Sequence, residues 1–352
     1  MAGKQSLKEH LEQLDATLDE WTEYRDNVQN ELKKVINGIP PLLRNIVRYH
    51  MGWENDKGGS RHGKPGKFIR SILHFLACQA VGGDPAKVLP SAVALELVHN
   101  LSLIHDDIQD RSHQRRGRPT VWKLWGKSQA INTGDFMLAL ASLVLTKLKN
   151  NGVPSEEILH SFDLLAEACK ELCEGQFLDI EFENRVDITV EDYLKMIGKK
   201  TAALTAVSTA MGAYLGRGDE NVQRFRQFGE ALGMAYQIRD DILGIWGVKG
   251  STGKSIAEDL RQKKKTLPVV YALRESKDKA KLGTLYSKRH IESKDIRVVL
   301  TILDQSGARD HCQNLVRKYC RRALEQLEAS GVGRNRRTPL QQLVHSLGIL
   351  SY

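Results

Sequence analysis

Apolar side chains recur at intervals of three and four residues through almost the whole of this 352-residue chain. A stripe of this kind runs from Leu7 to Trp21 through Leu11, Leu14 and Leu18, a spacing that places apolar groups on one face of an α-helix. Strand alternation bounded by tight turns is hardly visible. We therefore expect an all-α fold. Helices are predicted near residues 5–36, 68–81, 88–110, 128–149, 155–183, 190–215, 219–246, 266–275 and 295–329.

Glycine, proline and charged residues cluster between these segments. Loops are predicted at Gly52–Gly66, Gly82–Pro85, Asn150–Ser155, Gly247–Leu260 and Gly331–Thr338. None of them has the composition of a long disordered linker, and no solenoid repeat is present. We expect residues 1–352 to form a single domain, a large helical bundle with a central cavity.

Composition fits a soluble protein with a large core. The chain is 41% hydrophobic, yet it contains no run of about 18 apolar residues that predicts a transmembrane helix. The first residues are charged and lack an apolar signal region, so we expect a cytoplasmic location. The five cysteines form no CxxC pair, and Cys169 and Cys173 have helical spacing, so we expect reduced thiols.

Two aspartate clusters interrupt the apolar helical pattern. Asp106, Asp107 and Asp110 form the first, and Asp240 with Asp241 forms the second. A buried carboxylate needs a neutralising partner, and positions i and i+4 share one helix face. Such oxygen ligands suit Mg²⁺, which binds one or two carboxylates and completes its shell with water and substrate phosphates. The clusters indicate a metal and diphosphate site between facing helices.

Arginines follow the first cluster at once, at Arg115, Arg116 and Arg118. A single DDxxD motif on an exposed helix is usually a solvated acidic face, and these arginines could form surface salt bridges with it. That interpretation does not explain the second aspartate pair. Phosphate capture between a metal and a guanidinium fork explains both.

A net charge of +9 raises the alternative of a nucleic-acid-binding protein. The basic residues are scattered over helical segments, only 6% of residues are aromatic, and no known nucleic-acid module is present. We expect no nucleic-acid partner.

The segment Gly250–Ser255 resembles a phosphate-binding P-loop. That motif requires glycine at the position of Val248 and a preceding strand, and this chain has neither. We interpret the segment as a flexible lid that carries Lys254.

Several ordered blocks resemble the trans-isoprenyl diphosphate synthases, the polyprenyl synthetase family, and in particular its geranylgeranyl and farnesyl diphosphate synthases. The resemblance extends from about Gly66 to Pro268. The blocks are GKFIR, ELVHNLSLIHDDIQD with RRGRPT, INTGDFMLALA, EGQFLDIEFE, KMIGKKTAAL, FGEALGMAYQIRDDILG and TGKSIAEDLRQKKKTLP.

The resemblance implies a Mg²⁺-dependent prenyltransferase with three metal ions per active site, acting as a homodimer. Such an enzyme ionises an allylic diphosphate and joins the cation head to tail, in the trans configuration, to isopentenyl diphosphate. Proton loss to the released pyrophosphate then gives a product five carbons longer. No nucleophilic side chain is required.

The family's functional residues carry over onto particular positions. The metal ligands are Asp106, Asp107, Asp110, Asp240 and Asp241. The allylic diphosphate is held by Arg115, Lys200 and Lys254, with Lys264 close by. Thr201 and Gln237 flank the reacting carbons. The isopentenyl diphosphate site comprises Gly66, Lys67, Arg70, His99 and Arg116.

Some of these residues have a simpler interpretation. His99 on an apolar helix is by default a core histidine, Lys67 could lie on the surface, and Lys263–Lys265 could be a solvated charge run in which only Lys264 matches the family. The order of the blocks favours function. Two positions depart from the family: Gly244 replaces a third aspartate, and GKFIRS lacks one basic residue and a proline.

Two rival functions share parts of this pattern. Terpene cyclases and head-to-head synthases need no isopentenyl diphosphate site, so the residues of that site argue against them. A noncatalytic regulatory subunit could lose the first aspartate motif, which is entire here.

The residues before Asp106 bear on product length. The growing chain should pass Ser102 and Leu101, one turn away, and then Val98, about two turns or roughly 12 Å away. Short-chain enzymes of the family that this chain resembles often close the path here with an aromatic side chain. None of these residues is aromatic, so the resemblance implies geranylgeranyl diphosphate, with farnesyl or longer products as alternatives. A facing helix around Met137–Leu145 could instead form the floor.

Overall fold

The computed structural model of the protein describes residues 19–60, 66–183, 185–247, 258–288 and 290–348. It is built almost entirely of α-helices, as the apolar periodicity predicts. In chain order they are α1 (Thr22–Asn37), α2 (Pro41–His50), α3 (Ile69–Ala80), α4 (Leu89–Gln109), α5 (Val121–Leu145), α6 (Ser155–Phe182), α7 (Val190–Ile197), α8 (Ala203–Arg217), α9 (Val222–Trp246), α10 (Glu258–Arg261), α11 (Leu267–Glu275), α12 (Lys279–Ser287), α13 (Ser293–Gln305), α14 (Ala308–Ala329) and α15 (Arg334–Gly348).

Short elements of other kinds join some of the helices. Between α4 and α5 lies an antiparallel ribbon of β1 (Gln114–Arg115) and β2 (Arg118–Pro119), in which Arg115 pairs with Arg118. Two 3₁₀ turns occupy Thr146–Asn151 and Asp219–Asn221, and a π-helical turn at Gly198–Ala202 joins α7 to α8.

Most predicted helices agree with the structure, but two are divided. The helix predicted at 190–215 contains the π-helical turn, and the one predicted at 295–329 breaks at Ser306–Gly307, where Gly307 has φ 74°. The helix predicted at 128–149 begins earlier, at Val121, and has a kink at Gly126 with φ 82°. Positive φ values are strained for residues other than glycine, so single glycines decide these bends.

Several expectations about helices and loops were wrong or concern residues that the structure does not describe. The loop predicted at Gly331–Thr338 is shorter than expected, since a helix begins at Arg334 and continues through Pro339. Helices α2 and α12 were not predicted, since each is short and follows a loop signal, and α10 begins at Glu258, inside the loop predicted at Gly247–Leu260. Residues 5–18 of the first predicted helix and most of the loop predicted at Gly247–Leu260 are not described.

Helix α8 lies at the centre of the bundle. Every residue from Ala203 to Tyr214 is buried, and the segment consists largely of small side chains. Leu204, Val207 and Met211 pack into an apolar cluster with α1, α2, α4, α5 and α6. On the other side, α8 packs along α9, whose apolar residues join those of α3, α14 and α15. This enclosed helix packs against both aspartate-bearing helices, α4 and α9.

One segment of the described residues is long and apolar enough, by length and composition alone, to span a membrane. It is Val121–Asn151, with 31 residues and a mean hydropathy of 1.2, and 44% of its most apolar window is buried in the protein. A single segment of this kind carries little weight, because core helices of soluble proteins share its composition.

The close packing of α3 against α8 predicts a position that tolerates no side chain. A Cβ at Gly212 would lie 2.2 Å from the backbone oxygen of His74. Overpacking costs about 1–3 kcal/mol, and we expect Gly212→Ala to lower the free energy of unfolding by at least about 2 kcal/mol in urea titrations followed by circular dichroism.

Gly283 in α12 is the matched control, since a Cβ there meets nothing within 4 Å. Gly283→Ala should raise the free energy of unfolding by about 0.5–1 kcal/mol, because alanine favours the helix. Equal effects of the two substitutions would contradict the close contact between α3 and α8.

Candidate active site

The first aspartate cluster lies at the C-terminal end of α4. Asp110 is the C-cap residue, and Asp106 lies one turn earlier. A helix C-terminus carries partial negative charge and disfavours anions. Burial raises the pKa of Asp106, an effect that Lys200 opposes. These carboxylates therefore need cations close to them.

Two lysines supply that charge. Lys200 Nζ lies 3.8 Å from Asp106 Oδ1 and 2.6 Å from Asp179 Oδ2, and Lys264 Nζ lies 2.6 Å from Asp110 Oδ2. Burial alone would lower the pKa of Lys200, but the carboxylates of Asp106 and Asp179 raise it above its usual value. Lys200 therefore remains charged, and both lysines are donors that can bind phosphate oxygens.

Asp179 of α6 and Glu183, the C-cap residue of that helix, lie among these charged groups and were missed by the sequence reasoning. Burial, then repulsion from Asp110 and Asp179, raises the pKa of Glu183. The block EGQFLDIEFE was noted, but no role was given to its acidic residues. Their i, i+4 spacing, the same as that of Asp106 and Asp110, was the available signal.

The π-helical turn brings Lys200 against α6. A Cβ at Gly175 would lie 2.2 Å from the Lys200 nitrogen, so only glycine permits this approach. π-Helical turns often occur at functional sites. Here the turn carries both Lys200 and Thr201, and the Thr201 hydroxyl donates to Gln237 Oε1 over 2.9 Å.

The second aspartate pair lies near the C-terminal end of α9. Asp240 is exposed, whereas Asp241 is buried. Asp241 accepts hydrogen bonds from Tyr193 Oη at 2.5 Å, Gln237 Nε2 at 3.0 Å and the Leu267 backbone nitrogen at 3.1 Å. The two aspartates of this pair therefore have different surroundings.

The ribbon after α4 presents the predicted arginines. Arg115 Nε lies 3.0 Å from both oxygens of Asp107, and Arg115 Nη2 lies 2.9 Å from Oδ1. Arg116 and Gly117 form the turn, with φ 51° and 71°. Arg118 Nη2 donates to the Tyr49 backbone oxygen over 2.8 Å, and the guanidinium group stacks on the Tyr49 ring. Arg118 thus anchors the ribbon, while Arg115 and Arg116 remain at the site.

The predicted isopentenyl diphosphate residues gather beside this ribbon. His99 is half-buried, and burial, followed by the charges of Arg70 and Arg116, holds its pKa well below the usual value. The imidazole is therefore neutral. A Cβ on Gly66 would lie 3.8 Å from Arg116 Nη2, and the neighbouring Lys67 is exposed.

The remaining predicted residues have these positions. Val98 is buried in the apolar core, while Leu101 and Ser102 are half-buried, and Ser102 Oγ donates to the His99 backbone oxygen over 2.7 Å. Lys254, assigned to the allylic diphosphate, lies outside the described residues.

The donor groups of the site suit the Mg²⁺ that the resemblance implies. Within the described part of the chain, no three histidine, cysteine or acidic side chains form a group that could hold a metal ion alone. Carboxylates of α4 and α9 offer oxygen only, and Mg²⁺ typically uses one or two of these plus substrate phosphates. The residues fit a metal bound together with a diphosphate.

Comparison with known proteins identifies the family of the chain. The sequence profile described as Polyprenyl synthetase matches residues 60–303. The chain is 35% identical over 320 residues to a (2E,6E)-farnesyl diphosphate synthase of Mycobacterium tuberculosis, covering 89% of this chain and 88% of that protein. It is 41% identical over 257 residues to a geranylgeranyl diphosphate synthase of the same organism, covering 72% of each.

Solved structures share the fold. The crystal structure of a polyprenyl synthetase from Streptomyces coelicolor superimposes with a TM-score of 0.88 at 34% identity, covering 93% of this chain and 98% of that one. A geranylgeranyl pyrophosphate synthetase from Pyrococcus horikoshii gives 0.82 at 30% identity, covering 96% and 98%. With its profile match, its relatives and its helical site, the chain belongs to the polyprenyl synthetase family of prenyltransferases.

Proposed function

We propose that this protein condenses isopentenyl diphosphate with an allylic diphosphate, head to tail and in the trans configuration, in a Mg²⁺-dependent reaction. The observation that carries the proposal is the placement of Lys200 between Asp106 and Asp179, with Lys264 on Asp110. Carboxylates and ammonium groups alternate in this cluster. That arrangement binds a metal and a diphosphate together.

The groups of this chain can activate the allylic substrate. Lys200, Lys264 and Arg115 bind the oxygens of its diphosphate, and Lys254 is proposed to join them. Asp106, Asp110 and Asp240 are the proposed metal ligands, whereas Asp107 is already bonded to Arg115. When bound, Mg²⁺ supplies Lewis-acid stabilisation of the leaving diphosphate.

Thr201 and Gln237 are proposed to flank the carbon from which diphosphate departs. Their hydrogen bond fixes a hydroxyl and an amide on the wall between α8 and α9. Fixed dipoles stabilise developing charge without reorganising during the reaction. The released diphosphate, held by Lys200, is positioned to accept the final proton.

The second substrate is proposed to bind between α3 and the ribbon. Arg70 and Arg116 carry the charge that matches its diphosphate, and the neutral ring of His99 can donate a hydrogen bond without adding charge. Gly66 and Lys67 complete the proposed pocket. Arginine forks suit bidentate phosphate binding.

The proposed product is geranylgeranyl diphosphate. Relatives carry the names of both farnesyl and geranylgeranyl synthases, so the proposal rests on residues of this chain. Leu101 and Ser102 are half-buried on α4, where an aromatic ring would narrow the path. Val98, which is fully buried, lies deeper and is proposed to limit the chain.

We also propose that the enzyme acts as a homodimer in the cytoplasm. Large apolar side chains are exposed on α5 and α6, including Leu143 at 64%, Leu159 at 64% and Phe177 at 69%. Ile131 and Leu138 of α5 are also exposed and lie seven residues apart, on one helix face. Burying such a surface against a second copy would remove apolar area from water.

Replacing Asp106 tests the metal-diphosphate site. Asp106→Ala should lower turnover at least about 100-fold, or ~2.7 kcal/mol of barrier, because one proposed metal ligand is lost. Turnover is measured with labelled isopentenyl diphosphate and Mg²⁺, and chelation should abolish it. Asp310→Ala, an exposed carboxylate on α14, should keep full activity. Near-normal turnover of the Asp106→Ala enzyme would contradict the assignment of Asp106 as a metal ligand.

The two substrate pockets should separate in steady-state kinetics. Arg116→Ala is expected to raise the Michaelis constant for isopentenyl diphosphate about tenfold, while Lys200→Ala should mainly impair use of the allylic substrate. The Michaelis constant for each substrate is measured by varying its concentration while the other substrate is saturating. Equal effects of both substitutions on both substrates would contradict two distinct pockets.

Product length should respond to an aromatic ring on α4. Leu101→Phe is expected to shorten the main product by one isoprene unit with little loss of the first condensation, because the ring narrows the path beyond Asp106. Products are resolved by mass spectrometry. Leu42→Phe, at a leucine that is 83% exposed, serves as control. An unchanged distribution in active Leu101→Phe enzyme would show that α4 does not set the length.

A further inference from the structure

Asp241 is bonded within the protein through both of its carboxylate oxygens. Asp241 is only 5% exposed. Oδ2 accepts from the Tyr193 hydroxyl at 2.5 Å and from the Leu267 nitrogen at 3.1 Å, and Oδ1 accepts from Gln237 Nε2 at 3.0 Å. Hydrogen bonds to an ionised carboxylate are stronger than neutral ones.

From this network we propose that Asp241, with Tyr193, is a positioning residue that orients the Gln237 amide. The inference rests on the proposed function, because it assigns roles within the same reaction. It also assigns a role to Tyr193, which no motif of the sequence pointed to.

Moving Asp241 onto a metal would break this network. Tyr193 is only 3% exposed, and its hydroxyl would lose its hydrogen-bond acceptor. A buried polar group left without a partner costs about 1–3 kcal/mol. Burial, and then the charge of Asp241, raises the pKa of Tyr193 well above its usual value, so the hydroxyl keeps its proton and continues to donate.

The network decides which end of the Gln237 amide faces the site. An ionised carboxylate only accepts hydrogen bonds, so Asp241 requires Nε2 on its side. Oε1 is thereby turned toward the Thr201 hydroxyl, 2.9 Å away. The oxygen is the negative end of the amide dipole, and it stabilises a nearby allylic cation. A reversed amide would present N–H groups and oppose that charge.

Asp241 also fixes the start of α11. Leu267 is the first residue of that helix, and its backbone N–H has no partner within the helix. A carboxylate at this end also interacts favourably with the helix dipole. The segment just before α11 carries Lys264, so the same carboxylate helps to hold the lysine that reaches Asp110.

Metal binding distinguishes positioning from ligation. Mn²⁺ binding in the presence of inorganic pyrophosphate is measured by electron paramagnetic resonance for the wild type and for Asp240→Asn, Asp241→Asn and Tyr193→Phe. We expect at least tenfold weaker binding for Asp240→Asn and binding within twofold of wild type for the other two. Equal weakening in Asp240→Asn and Asp241→Asn would overturn the proposal.

Turnover at saturating Mg²⁺ supplies the second readout. Asp241→Asn should lower kcat at least about tenfold, and Tyr193→Phe about threefold, without raising the Mg²⁺ concentration needed for half-maximal rate. If circular dichroism shows that Asp241→Asn does not fold, Tyr193→Phe alone tests the positioning role. A wild-type kcat in the Tyr193→Phe enzyme would then overturn the proposal.

A double substitution tests whether Tyr193 acts through Gln237. Tyr193→Phe combined with Gln237→Leu should lose no more activity than Gln237→Leu alone, since residues acting as one unit are not additive. Additive losses would count against the shared role. If wild-type protein forms no prenyl product, the proposed function fails, while the Mn²⁺ comparison still decides whether Asp241 is a ligand.

Discussion

The ammonium group of Lys200, held between carboxylates of two different helices, is the interaction on which the rest of the site depends. Asp106 comes from α4 and Asp179 from α6, and both lie within 4 Å of Lys200 Nζ. Each carboxylate would be costly to bury alone, and the C-terminal end of α4 adds further negative charge near Asp106. Lys200 offsets that cost, and it leaves a charged group where an anionic substrate can exchange partners.

Close backbone packing places this lysine. Helix α8 is enclosed by the bundle and approaches α3 closely at Gly212, while α6 approaches the π-helical turn closely at its Gly175. The second contact presses the π-helical turn against α6, which brings Lys200 to Asp179. The electrostatics of the site thus follow from the sizes of side chains that never contact substrate.

The two aspartate pairs repeat one arrangement. In each, the first aspartate is the more exposed, and the second is buried against another functional side chain: Asp107 binds the Arg115 fork, and Asp241 binds the Gln237 amide. A residue and its neighbour on a helix point about 100° apart, so a consecutive pair naturally divides between cavity and interior. This division accounts for adjacent carboxylates without requiring that all of them bind metal.

The sequence by itself determined the helical class and the family and predicted most of the candidate site residues, because apolar spacing and ordered motif blocks are local properties of the chain. It did not indicate the π-helical turn or the role of Asp179, since both depend on how closely α6 approaches the segment before α8. It also could not separate Asp240 from Asp241, which are identical in composition and adjacent in the chain. Only the tertiary structure decided that, because burial and the donors contributed by α7, α9 and α11 exist only once these helices have packed together.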